Sequence, residues 1–458
     1  MNLTYDEFLN KKLQLGGEYG FDPTFMPDFL FDFQKYLLEW SIKKGKSAIF
    51  ADCGLGKTPM QLVWAQNIVE KTNKPVLIAT PLAVSYQVLR EAEKFGIDCK
   101  RSIDGKLFNK SIVVTNYERL HHFDPNDFSG LVCDESSILK NFNGAIKGRI
   151  TNFMTKLPYR LLCTATAAPN DYIELGTSSE ALGELGNMDM LIKFFKNEQN
   201  TINPNRNFGE GGKWRFKKHA EVPFWKWVCS WARAMRKPSD FGFSDERFVL
   251  PQLIENTHVV ESRTSRPGMF MSPPAVGMSE EREERKRTIN ERCEKVASLV
   301  EGKDKSLIWC HLNPEGDLLK KIIKGSEQIK GGDPDEKKEE ILIAFATGEL
   351  KYLVTKPKIG AFGLNLQRCA HIVFFPSHSY EQYYQGVRRC WRFGQKRDVI
   401  VDTVATEGEV LIIKNLLRKA QAADRMFTEL VFFMNESIKI NRRKETNKNI
   451  NLPAWIIN

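Results

Sequence analysis

The feature that most constrains this chain is ADCGLGKT at residues 51–58, set between two segments of different periodicity. SAIF before it is a short apolar run suited to a buried strand, and PMQLVWAQNIVE after it has helical spacing. A strand, a glycine-containing turn and a helix opening on Lys-Thr form the context that a phosphate-binding loop needs. Gly54 and Gly56 let the backbone wrap, so that its N–H groups and the helix N-terminus can face an anion. Lys57 is placed to reach the terminal phosphates of a nucleotide, and the Thr58 hydroxyl to hold Mg²⁺. Ala51 stands where the usual pattern has its first glycine.

Alternation of buried strand and helix continues beyond this loop. KPVLIAT, SIVVTN, FSGLVCD and YRLLC read as strands that deliver Thr80, Thr115, Asp134-Glu135 and Thr164/Thr166 at their ends. The pattern predicts an α/β fold, a parallel sheet with helices on both faces, which binds ligands at the C-terminal ends of its strands. Asp134, on a strand expected beside the phosphate-loop strand, is suited to the hydration shell of a metal, and Glu135 to orienting and deprotonating water. Upstream, FLFDFQKYLLEWSIKK reads as an amphipathic helix carrying Gln34. A carboxamide there matches the donor/acceptor edge of adenine, which favours ATP, although taken alone the residue reads first as a plain helix-surface glutamine.

A second alternating region starts near residue 300 and includes FGLNL, with Asn365. In YEQYYQGVRRCWRFGQ, read as a helix, Gln385, Arg389 and Arg392 stand at i, i+4 and i+7 and share a face. Two guanidiniums on one face call for an anion, either a γ-phosphate on the facing domain or carboxylates in inter-domain salt bridges.

Between the two regions, KWRFKKHAEVPFWKWVCSWARAMRK interleaves Trp214, Trp225, Trp227 and Trp231 with basic residues. Such rings can stack bases; we favour the alternative, a small core inside a helical insertion. The expected organisation is a lead-in at 1–27, a first lobe at 28–171, the insertion at 172–250, a linker with the proline-bearing SRPGMFMSPPAVGMS at 251–294, a second lobe at 295–410, and C-terminal helices with a basic tail at 411–458. The run EEREERKRTINERCEKVASLV is expected to be a solvated helix face.

With 67 Lys and Arg against 57 Asp and Glu, the surplus of +10 suits a polyanionic partner. The nine cysteines form no C-x-x-C pair or zinc-spaced cluster, so a reducing, cytoplasmic setting is expected. The opening MNLTYDEFLNKKLQL lacks the apolar core of a signal peptide, and no apolar run approaches the ~18 residues of a membrane span.

Taken in order, FQ, GLGKT, ATPL, TNYE, DESS, TAT, FGLNL and Q-x-x-x-R-x-x-R-F-G-Q resemble the motifs of superfamily 2 helicases. RRCWRFGQK, FGLNLQ and TATAAPND resemble, within that group, the Swi/Snf-type double-stranded DNA translocases, a DEAD/DEAH-box-like branch, and most of all its short phage-encoded members. The resemblance spans residues 28–410 and implies two tandem RecA-like P-loop domains, with ATP and Mg²⁺ between them and DNA across both. It assigns Gln34 to adenine; Gly54, Gly56, Lys57 and Thr58 to phosphates and Mg²⁺; and Asp134 and Glu135 to metal and base. Gln385, Arg389 and Arg392 complete the site from the second lobe, while Thr164 and Thr166 couple hydrolysis to movement. Thr80, Thr115 and Asn365 fall in segments that face the nucleic acid or the cleft.

Two departures stand out: Ser137 replaces the histidine of a DEAH sequence, and Gly360-Ala361 replaces a double glycine. The implied activity is ATP-driven, sequence-independent movement along duplex DNA, in a bacterial host's cytoplasm, with a partner protein to supply targeting. The alternatives are a strand-separating repair or recombination helicase, and a nucleotide-gated DNA- or partner-binding protein with little turnover.

Overall fold

The computed structural model describes residues 17–81, 84–141, 144–169, 171–197, 214–262, 278–360 and 365–448. The first lobe runs α1 (Asp32–Lys44), β1 (Lys46–Ala51), α2 (Lys57–Thr72), β2 (Val76–Thr80), α3 (Ser85–Lys94), β3 (Cys99–Arg101), β4 (Ile112–Asn116), β5 (Gly130–Asp134), α4 (Ala145–Met154) and β6 (Tyr159–Cys163). It continues through α5 (Leu175–Leu182), α6 (Asn187–Phe194), the antiparallel pair β7 (Phe195–Asn197) and β8 (Trp214–Phe216), α7 (Glu221–Trp231) and β9 (Ala232–Met235). Seven strands form a parallel sheet in the order β3-β4-β2-β5-β6-β1-β9.

Strands β2, β4 and β5 are buried along their whole length, as a sheet covered on both faces requires. Ile49 and Ile78 point into one core with Leu37 of α1 and Trp64 of α2. Phe50 and Leu77 point into the other, with Met154 of α4 and Trp227 of α7.

Three features differ from the sequence expectation. Strand β5 is not beside β1, because β6 lies between them. The short β3 had no signal of its own. Residues 172–250 do not enclose a separate aromatic core: β9 pairs with β1, from Ala48↔Ala232 to Ala51↔Met235, and Trp225, Trp227 and Trp231 are fully buried in the core of the first lobe. Ring burial of this size dominates a core wherever it lands, and here the nearest apolar surface is the sheet itself.

The second lobe runs β10 (Leu253–Val260), α8 (Met278–Arg287), α9 (Ile289–Val300), β11 (Ser306–Trp309), α10 (Asn313–Ile322), β12 (Ser326–Gln328), α11 (Asp335–Thr347), β13 (Tyr352–Thr355), α12 (Pro357–Gly360), β14 (His371–Phe374), α13 (Tyr380–Val387), β15 (Val399–Thr406) and α14 (Val410–Lys448). Its six strands are again parallel, ordered β10-β15-β14-β11-β13-β12. Part of the expected linker is therefore the edge strand β10, in register with β15 from Leu253↔Val399 to Val260↔Thr406. Most of the proline-bearing run 265–279 lies outside the described residues.

The charged run on α8 and α9 is not simply a solvated face. Arg292 and Glu315 pair at 2.9 Å with both side chains fully buried, and Arg285 meets the buried Glu409 at 2.9 Å. Charges bury when each finds a partner, and these partners come from distant parts of the chain.

The second sheet also contains a polar cluster around the buried Asp402. Asp402 of β15 accepts from His371 Nε2 of β14 (2.8 Å), and from His258 Nε2 (2.9 Å) and Asn256 Nδ2 (3.0 Å) of β10; Ser306 of β11 bonds the other nitrogen of His371 at 2.7 Å. Burial alone would raise the Asp402 pKa, but the bonds from His371, His258 and Asn256 outweigh it and hold the carboxyl well below the usual range. A depressed folded pKa stabilises above the unfolded value of about 3.9 and is lost as pH falls below it. Asp402→Asn is expected to cost about 2–3 kcal/mol at neutral pH. The gap from wild type should narrow in acid, below the unfolded carboxyl pKa, as read by denaturant unfolding in neutral and acidic buffers.

Residues 410–448 form one long helix, α14. It leaves the second lobe and places Met426, Phe427, Leu430 and Met434 in the first lobe's core, with Arg425–Glu221 at 3.1 Å on the rim. Among the described residues no helix is long and apolar enough to cross a membrane.

Candidate functional site

The loop between β1 and α2 has its two glycines in the left-handed region, with φ of +90° at Gly54 and +75° at Gly56. Space is restricted as well: a Cβ on Gly56 would stand 2.2 Å from Gln34 Nε2, and one on Gly54 3.0 Å from the backbone nitrogen of Phe393 in the second lobe. Lys57 folds over the loop, donating to Ala51 O at 2.9 Å and Asp52 O at 3.4 Å. Thr58 follows in the first turn of α2. Gln34 is buried, donates to Leu55 O at 2.9 Å and accepts from Phe31 N at 3.0 Å. Each end of its amide holds backbone, so Gln34 braces the loop, and one N–H and one oxygen lone pair remain for a further partner.

Asp134 ends β5, where Gln61 Nε2 of α2 donates to Oδ1 at 2.7 Å and the Tyr117 hydroxyl donates to its carbonyl. Burial, then the neighbouring Glu135 carboxylate, push the Asp134 pKa up to about 6, against the pull of Gln61, Lys57 and Arg389. Glu135 sits at φ +54°, an uncommon conformation for a residue with a Cβ. Its Oε2 accepts from Thr164 Oγ1 and from Gln385 Nε2, each at 3.3 Å. Thr164 Oγ1 in turn accepts from Thr166 N at 3.0 Å. The pairing of Asp134 with Cys163 across β5 and β6 puts Thr164 there, and α13 brings Gln385 from the second lobe.

The long helix expected over YEQYYQGVRRCWRFGQ ends at Val387. Leu366 N takes the Arg389 carbonyl at 2.9 Å, and Gln395 Nε2 takes those of Gln367 (2.8 Å), Cys369 (3.0 Å) and Cys390 (3.2 Å). Those bonds tie the segment after Val387 to residues 366–369, and Arg389 and Arg392 are carried on a turn beyond the end of α13. Both still reach the first lobe. Arg389 acts on Asp134, and Arg392 lies over Gly54, its pKa lowered by burial and by the charge of Arg389.

Between the lobes lies a cleft of about 870 Å³ whose lining includes Tyr86, Arg90, Glu118, Glu135, Asn365 and Arg392. Lys140–Glu381 and Arg90–Glu339 span it as ion pairs. Asn365 is exposed there, whereas Thr80 and Thr115 are fully buried in β2 and β4 and present no surface to a nucleic acid. Of the Gly360-Ala361 departure, Ala361 lies outside the described residues. Sequence reasoning did not single out Asp52, Tyr384 or Arg388, which meet across the lobes: Tyr384 and Arg388 both bond the Asp52 carboxylate. No local pattern carries that pairing.

The residues fit a magnesium-bound triphosphate. Thr166 Oγ1, Gln385 Oε1 and Arg392 Nε are buried with no hydrogen-bond partner among the described residues, capacity that a ligand can use. The Thr58 hydroxyl and Asp134 carboxylate are hard oxygen donors of the kind Mg²⁺ takes. Among the described residues there is no cluster of three or more metal-ligating side chains.

Residues 289–394 match the family described as the helicase conserved C-terminal domain, a span from α9 to the arginine-bearing turn within the second lobe. No curated protein matches the chain. Among solved structures, the Sulfolobus solfataricus SWI2/SNF2 ATPase core in complex with dsDNA is similar at 18% identity and a TM-score of 0.40, over 90% of this chain and 96% of that one.

Proposed function

We propose that this chain is an ATP-dependent nucleic-acid motor that moves along duplex DNA. The observation that carries this reading is the double tie on Glu135: one carboxylate oxygen accepts from Thr164 of the first lobe and from Gln385 of the second. A base so placed senses whether the lobes are closed, and its release changes both neighbours. Lys57 and the loop N–H groups would bind the β- and γ-phosphates, and Arg389 and Arg392 would neutralise charge as the terminal phosphoryl leaves. Glu135 would take the proton of the attacking water. Mg²⁺, held through Thr58 and Asp134, would supply charge neutralisation at the bridging phosphates.

Closure on ATP and reopening after hydrolysis would displace the second sheet relative to the first. The +10 surplus and the helicase-domain match support a nucleic-acid track, contacted through phosphates and weakened by salt.

Steady-state ATP hydrolysis, measured alone and with single-stranded, duplex and branched DNA and with RNA, tests the reading. Duplex DNA is expected to stimulate most. Stimulation by single strands alone, with unwinding of a forked duplex, would favour a strand-separating helicase. Nucleotide binding without hydrolysis on any of these would replace the motor by a nucleotide-gated binding protein.

A further inference from the structure

Asp52 places a carboxylate inside the candidate phosphate loop, where an anionic ligand is to be bound. It is buried, and the second lobe holds it. Arg388 Nη2 reaches Asp52 Oδ2 at 2.5 Å and Cys53 O at 3.0 Å, and the Tyr384 hydroxyl donates to Asp52 Oδ1. Cys53 N donates to the same Oδ1 at 2.6 Å, which fixes the loop's own turn. Arg388 is buried too, lies over the Trp391 ring at 4.8 Å, and has an Nε with no hydrogen-bond partner among the described residues. Neither Asp52 nor Arg388 belongs to the set chosen by the loop pattern or by the Q-x-x-x-R-x-x-R spacing. An uncompensated carboxylate among phosphate-binding groups opposes the ligand by like-charge repulsion, and low-dielectric surroundings strengthen that effect.

We infer that Arg388 is a positioning residue for nucleotide binding: it cancels the Asp52 charge from the opposite lobe and so completes the phosphate loop only when the lobes are closed. This rests on reading residues 51–58 as a nucleotide site. Loss of the two partners should therefore be unequal. Arg388→Gln leaves a buried carboxylate facing the polyphosphate, whereas Asp52→Asn removes the source of repulsion along with the tie. A contact that served only to hold the lobes together would make the two single variants equal and the double variant no better than either.

The test is equilibrium binding of a fluorescent ATP analogue with Mg²⁺ to the full chain, so that no variant need turn over, with thermal unfolding recorded for each variant. Arg388→Gln is expected to weaken binding about tenfold or more, and Asp52→Asn less than about threefold. The double variant should recover about fivefold or more relative to Arg388→Gln, and Arg388→Lys, which keeps the charge, should bind within about threefold of wild type. If Arg388→Gln does not fold, the double variant and Arg388→Lys still decide, because repulsion predicts that both bind. Equal single losses with no recovery in the double variant would overturn the inference while leaving the nucleotide site intact. Wild-type protein that binds no nucleotide, or a Lys57→Ala variant that binds as well as wild type, would overturn the nucleotide reading and this inference with it.

Discussion

Glu135→Gln is expected to lower ATP turnover by about 10²–10⁴-fold while leaving nucleotide affinity close to wild type. The substitution keeps the volume of the side chain in a site with little room, since Glu135 is buried between Thr164 and Gln385. It keeps one acceptor oxygen for those two donors, so the tie between the lobes survives. What it removes is the ability to take a proton from water. The loss should therefore fall on kcat rather than on binding, the separation expected for an interaction used only at the chemical step. Phosphate-release kinetics beside equilibrium nucleotide binding measure the two quantities independently. Turnover that persists in Glu135→Gln would take Glu135 out of the mechanism.

Much of this site was legible because strand ends write it locally. A short apolar run followed at once by Gly-x-Gly-Lys-Thr, Asp-Glu or Thr-Ala-Thr needs only the strand-and-turn rule to be placed at one edge of a parallel sheet. The order of strands was not legible: β6 separates β5 from β1, and nothing between residues 130 and 163 encodes which neighbour each strand chooses. Long-range electrostatics were equally hidden. Arg388 and Arg389 are adjacent and look interchangeable in sequence, yet one meets Asp52 and the other acts on Asp134. Arg292 sits in a run that composition assigns to solvent, and only the fold supplies Glu315 as its buried partner. Gln34 shows what position alone leaves out: its amide also ties the backbone of Phe31 to that of Leu55 in the phosphate loop.

Trp231→Ala is expected to destabilise the first lobe by about 3–5 kcal/mol, because the large indole is removed from a packed interior that can only partly collapse. Trp231 is fully buried, meets Phe50 edge-on at 6.3 Å between ring centroids and Trp227 at 5.5 Å, and ends the helix that runs straight into β9. Phe50 lies on β1 two residues before Asp52, so the cavity would open directly beneath the phosphate loop. The same core receives Leu430 and Met434 from α14, and loosening it should weaken the anchor that ties the end of the second lobe to the first. Denaturant unfolding of the full chain measures the loss, and hydrogen exchange should show it concentrated in β1, β9 and the apolar turns of α14. The aromatic and basic composition of this segment had a second meaning, a surface on which bases stack, and that meaning makes the opposite prediction. Under it, Trp231→Ala would leave unfolding unchanged and lower affinity for single-stranded nucleic acid by ~1–3 kcal/mol. Complete burial of the ring decides for packing, because a base cannot stack on a face that Phe50 and Trp227 already cover.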